Sequence, residues 1–131
     1  MLEQMKQPGM FSWNELITSD VKGAKQFYSK LLGWTLEDES NPNGMQYTRV
    51  KANNHEIGGI MATPKEAKGM PSMWGSYVTV DDVDAMMNRV TQLGGRIIAE
   101  PRDIPHVGRF CVIQDPQGAL LTLITYLPSV N

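Results

Sequence analysis

The stretch DVKGAKQFYSKLLG at residues 20–33 decides the fold, because it returns 62 positions later as DVDAMMNRVTQLGG at residues 82–95. Each copy begins with an aspartate that can cap a first helical turn and ends at glycine, where a left-handed backbone is cheap. Each copy also has apolar residues at helical spacing, so both predict an amphipathic helix. These apolar residues are Val21, Ala24, Phe27, Tyr28 and Leu31 in the first copy, and Val83, Met86, Met87, Val90 and Leu93 in the second.

Runs typical of β-strands surround each predicted helix. One run rich in aromatic and β-branched residues precedes each helix, at 11–18 and 73–80. Three more follow, at 34–37, 45–50 and 57–61 in the first copy and at 96–99, 109–113 and 120–125 in the second. Asn41–Gly44 and Asp115–Gly118 predict type I turns, because Asn or Asp, Pro and Gly stand where such turns favour them.

The sequence therefore predicts an α+β fold made of two tandem βαβββ units in a single domain, 1–131. Unit one spans 10–61, a linker with two prolines spans 62–72, and unit two spans 73–126. One helix can cover only one face of each small sheet, so the other face must meet something. We expect a curved mixed sheet around a cup between the two units, and we expect a small molecule to bind in that cup.

Composition excludes several other classes of protein. The net charge of -2 and the pI of about 5.6 give no basis for a nucleic-acid surface. No apolar run is long enough for a membrane helix, and the first ten residues lack the apolar core of a signal peptide. A lone cysteine, Cys111, excludes an internal disulfide and is typical of a reducing compartment. We therefore expect a cytoplasmic protein without membrane or nucleic-acid partners.

Three segments carry a family resemblance: LITSDVKGAKQFYSKLLGW at 16–34, YVTVDDVDAMMNRVTQLGG at 77–95, and GRFCVIQDPQGALLTL at 108–123. In this order and spacing they resemble the vicinal-oxygen-chelate superfamily, also called the glyoxalase, bleomycin-resistance and extradiol-dioxygenase superfamily. The resemblance covers roughly residues 10–126. The WNEL run at 13–16 and the DIP..GRF run at 103–110 are similar to the short glyoxalase-like group. That likeness implies a small-molecule ligand and a homodimer.

The resemblance also locates the places where metal-using members hold a divalent ion. These positions correspond here to Trp13, Gly59, Gly75 and Thr122. Such ions need His, Asp, Glu or Cys side chains, so no metal cofactor is expected at these four positions. A shift of register would bring in Glu15, Glu56 or Ser76 but would not restore four ligands. An unorthodox metal site stays as an alternative.

Strand alternation suggests further site residues. Trp13 and Glu15 share one face of their strand, and a carboxylate in a partly apolar cup can move protons. The other reading of Glu15 is an edge charge or an ion pair with Arg49 or Arg109. His106, in the loop before the seventh strand, is a second acid–base candidate or a solvated residue. The predicted ligand contacts, each of which also has a purely structural reading, are Trp13, Tyr47, Arg49, Gly59, Trp74, Tyr77, Arg109 and Thr122.

Three functions are compatible with this reading. The first is a metal-independent protein of the glyoxalase and bleomycin-resistance type that binds a small aromatic or amphipathic molecule. The alternative is a glyoxalase-like lyase, isomerase or dioxygenase that uses Glu15, with an arginine or His106, or an unorthodox metal. A third is an accessory module with a vestigial cup. Fold alone does not choose among them.

Overall fold

The computed structural model describes residues 3–40 and 46–128, except for the side chain of Ser40. The predicted turn at 41–44 and the start of the third strand at Met45 lie outside the described residues. The strands and helices are β1 (Phe11–Thr18), α1 (Val21–Leu32), β2 (Thr35–Ser40), β3 (Gln46–Ala52), β4 (His55–Ala62), β5 (Met73–Thr79), α2 (Val83–Gln92), β6 (Arg96–Ile104), β7 (Gly108–Gln114) and β8 (Leu120–Tyr126). Short 3₁₀ helices occupy Glu3–Lys6 and Lys65–Ala67. The predicted α+β class and the tandem βαβββ order are confirmed.

Each repeat forms a sheet of four strands with the same connectivity. In the first, the order is β2-β3-β4-β1, with β1 parallel to β4 and the other pairs antiparallel. In the second, the order is β6-β7-β8-β5, with β5 parallel to β8. The internal repeat found in the sequence is therefore also a repeat of topology.

The contacts divide the described chain into two compact units that differ from the repeat boundaries. Unit 1 comprises residues 13–75, and unit 2 comprises residues 3–12 together with 76–128. Backbone hydrogen bonds tie the first residues to β5, because Gly9 N donates to Thr79 O (2.8 Å) and Thr79 N donates to Met10 O (2.9 Å). The Thr79 hydroxyl also donates to the carbonyl of Met5 (2.6 Å). Residues that precede the first repeat in sequence thus complete the second unit.

The helix ends follow from capping chemistry. The Asp20 carboxylate accepts from Gly23 N at 2.9 Å, and Asp82 accepts from Ala85 N at 3.3 Å. These bonds satisfy amide groups that the first helical turn leaves without partners. Gly33, with φ of 68°, ends α1 in the left-handed region, and its N–H donates to Ser29 O.

Each helix covers one face of its sheet. In unit 1, Val21, Ala24 and Tyr28 of α1 pack on buried Leu16, Val50 and Ile60. In unit 2, Val83 is buried and Met86 and Met87 are partly buried against Val80, Cys111 and Leu123.

The predicted apolar stripe of α1 was too wide. Phe27 and Leu31 are 58% and 62% exposed, and Leu93, just beyond α2, is 70% exposed. A single helix touches its sheet along a narrow line, so residues on the flank of the stripe remain in water.

The edge strand β6 is longer than predicted. It continues through Pro101 to Ile104 because β7 pairs with it as far as Gly108. The register shifts between Ile97 and Ala99 and again between Ala99 and Arg102, which accommodates a proline on an edge strand.

Among the described residues, no helix is both long and apolar enough to span a membrane.

Gly58 and Gly75 provide a matched test of close backbone packing in unit 1. A side chain at Gly58 would overlap the backbone carbonyl of Asn14, whereas a Cβ at Gly75 would have only Glu15 O nearby, at 3.9 Å. We expect Gly58→Ala to lower the free energy of unfolding by about 1–3 kcal/mol, because backbone cannot move aside cheaply. Gly75→Ala should change it by less than about 0.5 kcal/mol. Urea unfolding of both variants measures the difference, and equal stabilities would contradict the packing described for β4.

The buried thiol of Cys111 lowers the stability of unit 2 at alkaline pH. Its side chain has no exposed surface, and burial raises the pKa of the thiol from about 9 to about 11. The unfolded chain therefore loses this proton first, so the free energy of unfolding falls as pH rises from about 9 to 11. Burial also raises the pKa of Tyr126, and its hydrogen bond to Ser12 offsets part of that rise. Tyr126 therefore adds to the decline in the free energy of unfolding as the pH rises.

Cys111→Ala isolates the contribution of the thiol. We expect the decline between pH 8.5 and pH 11 to be smaller than in the native sequence by about 1–2 kcal/mol. Urea unfolding at several pH values measures this slope. Packing lost in Cys111→Ala lowers the free energy of unfolding by the same amount at every pH and so leaves the slope unchanged. Parallel slopes for the two proteins would show that burial of Cys111 has no such effect.

Candidate functional site

The face of the unit 1 sheet that α1 leaves uncovered carries the main group of candidate residues; we call it the helix-free face. Leu16, Val50 and Ile60 point towards α1. Alternation along the strands then places Glu15, Arg49 and Gly59 on the opposite face. These three are lateral neighbours, because Glu15 pairs with Gly59 across β1–β4 and Arg49 pairs with Gly59 across β3–β4.

A hydrogen-bonded chain of three side chains occupies this face. The Trp13 indole N–H donates to the Tyr47 phenol oxygen at 2.9 Å, and the Tyr47 hydroxyl donates to Glu15 Oε2 at 2.8 Å. All three side chains are partly buried. Each bond fixes the next one, so the carboxylate is held in a defined orientation beside two aromatic rings. The sequence predicted these three residues as site residues but not the bonds that join them.

Gly59 allows Tyr47 to lie where it does. A Cβ built at Gly59 would overlap the phenol oxygen and ring carbons of Tyr47. The space above this glycine, which is itself buried, is therefore filled by the phenol.

Charged groups of β2, β3 and β4 continue the helix-free face. The Arg49 guanidinium contacts Glu39 and Glu56, each at 2.7 Å, and Lys51 contacts Glu37 at 2.9 Å. Hydrogen bonds raise the pKa of Arg49; the bond to Glu39 contributes most and the bond to Glu56 comes next. Together with Glu15, this face holds two more carboxylates than cationic groups.

In unit 2, the candidates Tyr77 and Thr122 are neighbours across β5–β8. Tyr77 is buried and Thr122 is partly buried, on the face away from Val78, Leu123 and α2. Their role in ligand contact stays a prediction, as does the cup expected between the repeats.

Arg109 and Trp74 lie on the faces that carry the helices. The Arg109 guanidinium donates twice to Asp84 of α2, at 2.7 and 3.2 Å, and to Asp103 at 3.1 Å. The Arg109 guanidinium lowers the pKa of Asp84, as expected for a bidentate pair. The Trp74 indole N–H donates to the Tyr28 hydroxyl of α1 at 3.1 Å. Strand alternation already separates Trp74 from Gly75 and Tyr77, and the prediction of both Trp74 and Tyr77 as ligand contacts overlooked that signal.

His106 occupies the turn between β6 and β7. Its backbone has φ of 66°, Val107 N donates to Ile104 O across the turn, and its side chain is exposed. It belongs to unit 2, whereas Glu15 belongs to unit 1. An acid–base role for either residue stays a prediction.

A sequence model of the Glyoxalase/Bleomycin resistance protein/Dioxygenase superfamily matches residues 10–123. This chain belongs to that superfamily. The match begins just before β1 and ends within β8, so it includes both repeats, and the resemblance stated from the sequence is confirmed.

Among curated relatives, "Putative glyoxylase CFP32" of Mycobacterium tuberculosis is 40% identical over 124 residues, which are 95% of this chain and 47% of that protein. "Anthracycline biosynthesis protein DnrV" of Streptomyces peucetius is 33% identical, over 86% of this chain and 45% of that protein. This chain thus spans about half the length of these relatives.

Solved structures of the superfamily fold are also similar. Methylmalonyl-CoA epimerase from Mycobacterium tuberculosis aligns with a TM-score of 0.65 and 23% identity, covering 98% of this chain and 94% of that one. A hypothetical protein, BH1468, from Bacillus halodurans aligns with a TM-score of 0.69 and 13% identity, covering 95% and 99%. At these identities the likeness concerns the fold alone.

The residues at the metal positions of the superfamily do not fit a divalent ion. Trp13 and Gly59 offer no oxygen ligand, and the side chain that a ligand at position 59 would need overlaps Tyr47. Gly75 has no side chain, and Thr122 offers one hydroxyl. Among residues 3–40 and 46–128, no group of three or more His, Cys, Asp or Glu side chains is placed to hold a metal.

Metal analysis tests this fit. We expect the purified, untagged chain, after incubation with Zn²⁺, Ni²⁺, Mn²⁺ or Fe²⁺ and passage through a desalting column, to retain far less than one equivalent of any ion, because the donors that such ions require are missing. Elemental analysis measures the content. One retained equivalent that a chelator removes would overturn the assignment of Trp13, Gly59, Gly75 and Thr122.

Proposed function

We propose that this chain is a superfamily member that binds a small molecule on the helix-free face of unit 1 without a divalent metal. The chain Trp13–Tyr47–Glu15 carries the proposal, since it presents an oriented carboxylate beside two flat rings. In this proposal the phenol above Gly59 stands where a metal ligand's side chain would project, so hydrogen bonds take the place of coordination.

The ligand class follows from the chemistry of this face. The rings of Trp13 and Tyr47 favour a planar aromatic molecule, and the Glu15 carboxylate favours a hydrogen-bond donor or a positive charge. The surplus of carboxylates on the face favours a cation as well. Arg49 already contacts Glu39 and Glu56, which disfavours an anionic ligand. The 33% identity to a protein named for anthracycline biosynthesis supports a polycyclic aromatic ligand.

A second candidate function is proton transfer. The Tyr47–Glu15 hydrogen bond of 2.8 Å is an arrangement in which a carboxylate can act as a base towards a bound substrate. The name glyoxylase on a relative of 40% identity supports this candidate. The two candidates share one site and differ in whether the bound molecule is converted.

The expected homodimer and the expected cytoplasmic location remain part of the proposal. The lone Cys111 supports a reducing compartment.

Paired ligands and matched variants test the proposal. The probes are daunorubicin, which is planar and carries a primary amine, and its N-acetylated form, which lacks the positive charge. We expect the amine to bind at least tenfold more tightly to the native chain. Glu15→Gln should remove most of that preference, because a charged hydrogen-bond partner is lost, a difference of about 1.4 kcal/mol or more. Isothermal titration calorimetry measures the affinities.

Glu66→Gln, an exposed carboxylate outside the sheet, is the control and should bind like the native chain. Tyr47→Phe should weaken binding of both probes, since it frees the Trp13 and Glu15 groups from their shared partner. Identical affinities of the native chain and Glu15→Gln for the amine would contradict the proposed face. Chemical conversion of a bound probe that Glu15→Gln abolishes would favour proton transfer.

A further inference from the structure

The other face of the unit 1 sheet, the one that carries α1, has an apolar hollow that the proposed function does not use. Its volume is about 300 Å³. Alternation places Asn14 on the face opposite Trp13 and Glu15, and Val50 lies in the core beneath α1. The residues that line the hollow are Asn14, Trp34, Val50, Ile57, Gly58 and Trp74.

Two indole rings, those of Trp34 and Trp74, form walls of the hollow, and Tyr28 holds both of them at defined angles. The Trp34 ring stacks on Tyr28, with centroids 5.6 Å apart and planes at 23°, while Trp74 stands edge-on to Trp34 at 5.8 Å and 81°. The hydrogen bond from the Trp74 indole to the Tyr28 hydroxyl (3.1 Å) locks this corner. Rings that are already positioned lose little entropy when a flat molecule packs between them.

Gly58 lies at the bottom of the hollow, and its lack of a side chain leaves that space open. It has no side chain, and a larger residue is opposed by the carbonyl of Asn14. Around this floor, Trp74 and Ile57 remain 36% and 38% exposed, so apolar surface stays in contact with water. A ligand that covers this surface gains hydrophobic free energy without displacing any part of the chain.

The lining determines the charge and size of that ligand. None of the six lining residues carries a charge, and apart from the two indole N–H groups the Asn14 amide is the only polar side-chain group among them. An ion would lose its hydration here without a partner. At the packing density of protein interiors, 300 Å³ accommodates roughly 200 Å³ of ligand atoms, the size of two or three fused rings.

We propose that this hollow, defined by Trp34, Trp74 and Gly58, is a second ligand site that takes a neutral, planar bicyclic or tricyclic molecule with one hydrogen-bonding group. It is separate from the site formed by Trp13, Tyr47 and Glu15. The ligand stacks on the indole rings and directs its polar group towards Asn14.

The chain has three tryptophans, and each reports on one part of unit 1. In the full chain labelled with ¹⁵N-tryptophan, indole N–H resonances are assigned with single Trp→Phe variants. The probe is 1-naphthol, with 1-naphthoate as its anionic counterpart. We expect 1-naphthol to shift the Trp34 and Trp74 resonances and to leave Trp13 unchanged, and we expect 1-naphthoate to bind at least tenfold more weakly.

Two variants and one control complete the experiment. Trp74→Ala removes one wall, and Ile57→Trp fills the hollow; each should weaken 1-naphthol at least tenfold in titrations followed at the Trp34 resonance. Phe27→Ala removes a ring that contacts Tyr28 without lining the hollow, and it should bind within twofold of the native chain.

The outcomes separate the two sites. If 1-naphthol shifts only the Trp13 resonance, the second site is overturned and the first is untouched. If Glu15→Gln binds the amine probe as tightly as the native chain does, the first site is overturned and the second is untouched. No shift of Trp34 or Trp74, or unchanged affinity in both Trp74→Ala and Ile57→Trp, would also overturn the inference.

Discussion

One helix must shield four strands in each unit, and the positions of Trp13, Glu15 and Tyr47 follow from that constraint. In unit 1, Leu16, Val50 and Ile60 are buried because they point towards α1. Their neighbours in sequence point the other way and therefore carry the polar and aromatic groups that α1 does not cover. A shift of β1 by one residue would exchange Leu16 with Glu15 and lose both the core and the site. The core and the candidate site thus depend on the same strand register.

Tyr47 and Gly59 together account for the atypical residues that this chain has at one metal position of the superfamily. Glycine at 59 and tyrosine at 47 form a complementary pair, since the ring of one occupies the space that the other leaves. The phenol both accepts from Trp13 and donates to Glu15, so it links an apolar ring to an acid. A buried hydroxyl that uses both capacities orients its partners and leaves little freedom for them to move.

The sequence predicted features that depend on local chemistry. Asp20, Asp82 and Gly33 cap the helices where expected, and alternation placed Trp13 and Glu15 on one face. Features that depend on distant partners were not predictable in this way. To predict the bidentate contact of Arg109 with Asp84, one would have to know how α2 crosses β7. The cluster of Tyr28, Trp34 and Trp74 requires three segments to meet in space. The length of β6 likewise depends on its pairing with β7 rather than on its own residues.

The hydrogen bonds between Gly9, Met10 and Thr79 have a consequence for how such a molecule can be divided or duplicated. A gene fragment cut at the linker would encode the second repeat without the residues that satisfy Thr79, so its backbone groups would lose their partners. The genetic boundary and the physical boundary therefore fall at different places in the polypeptide.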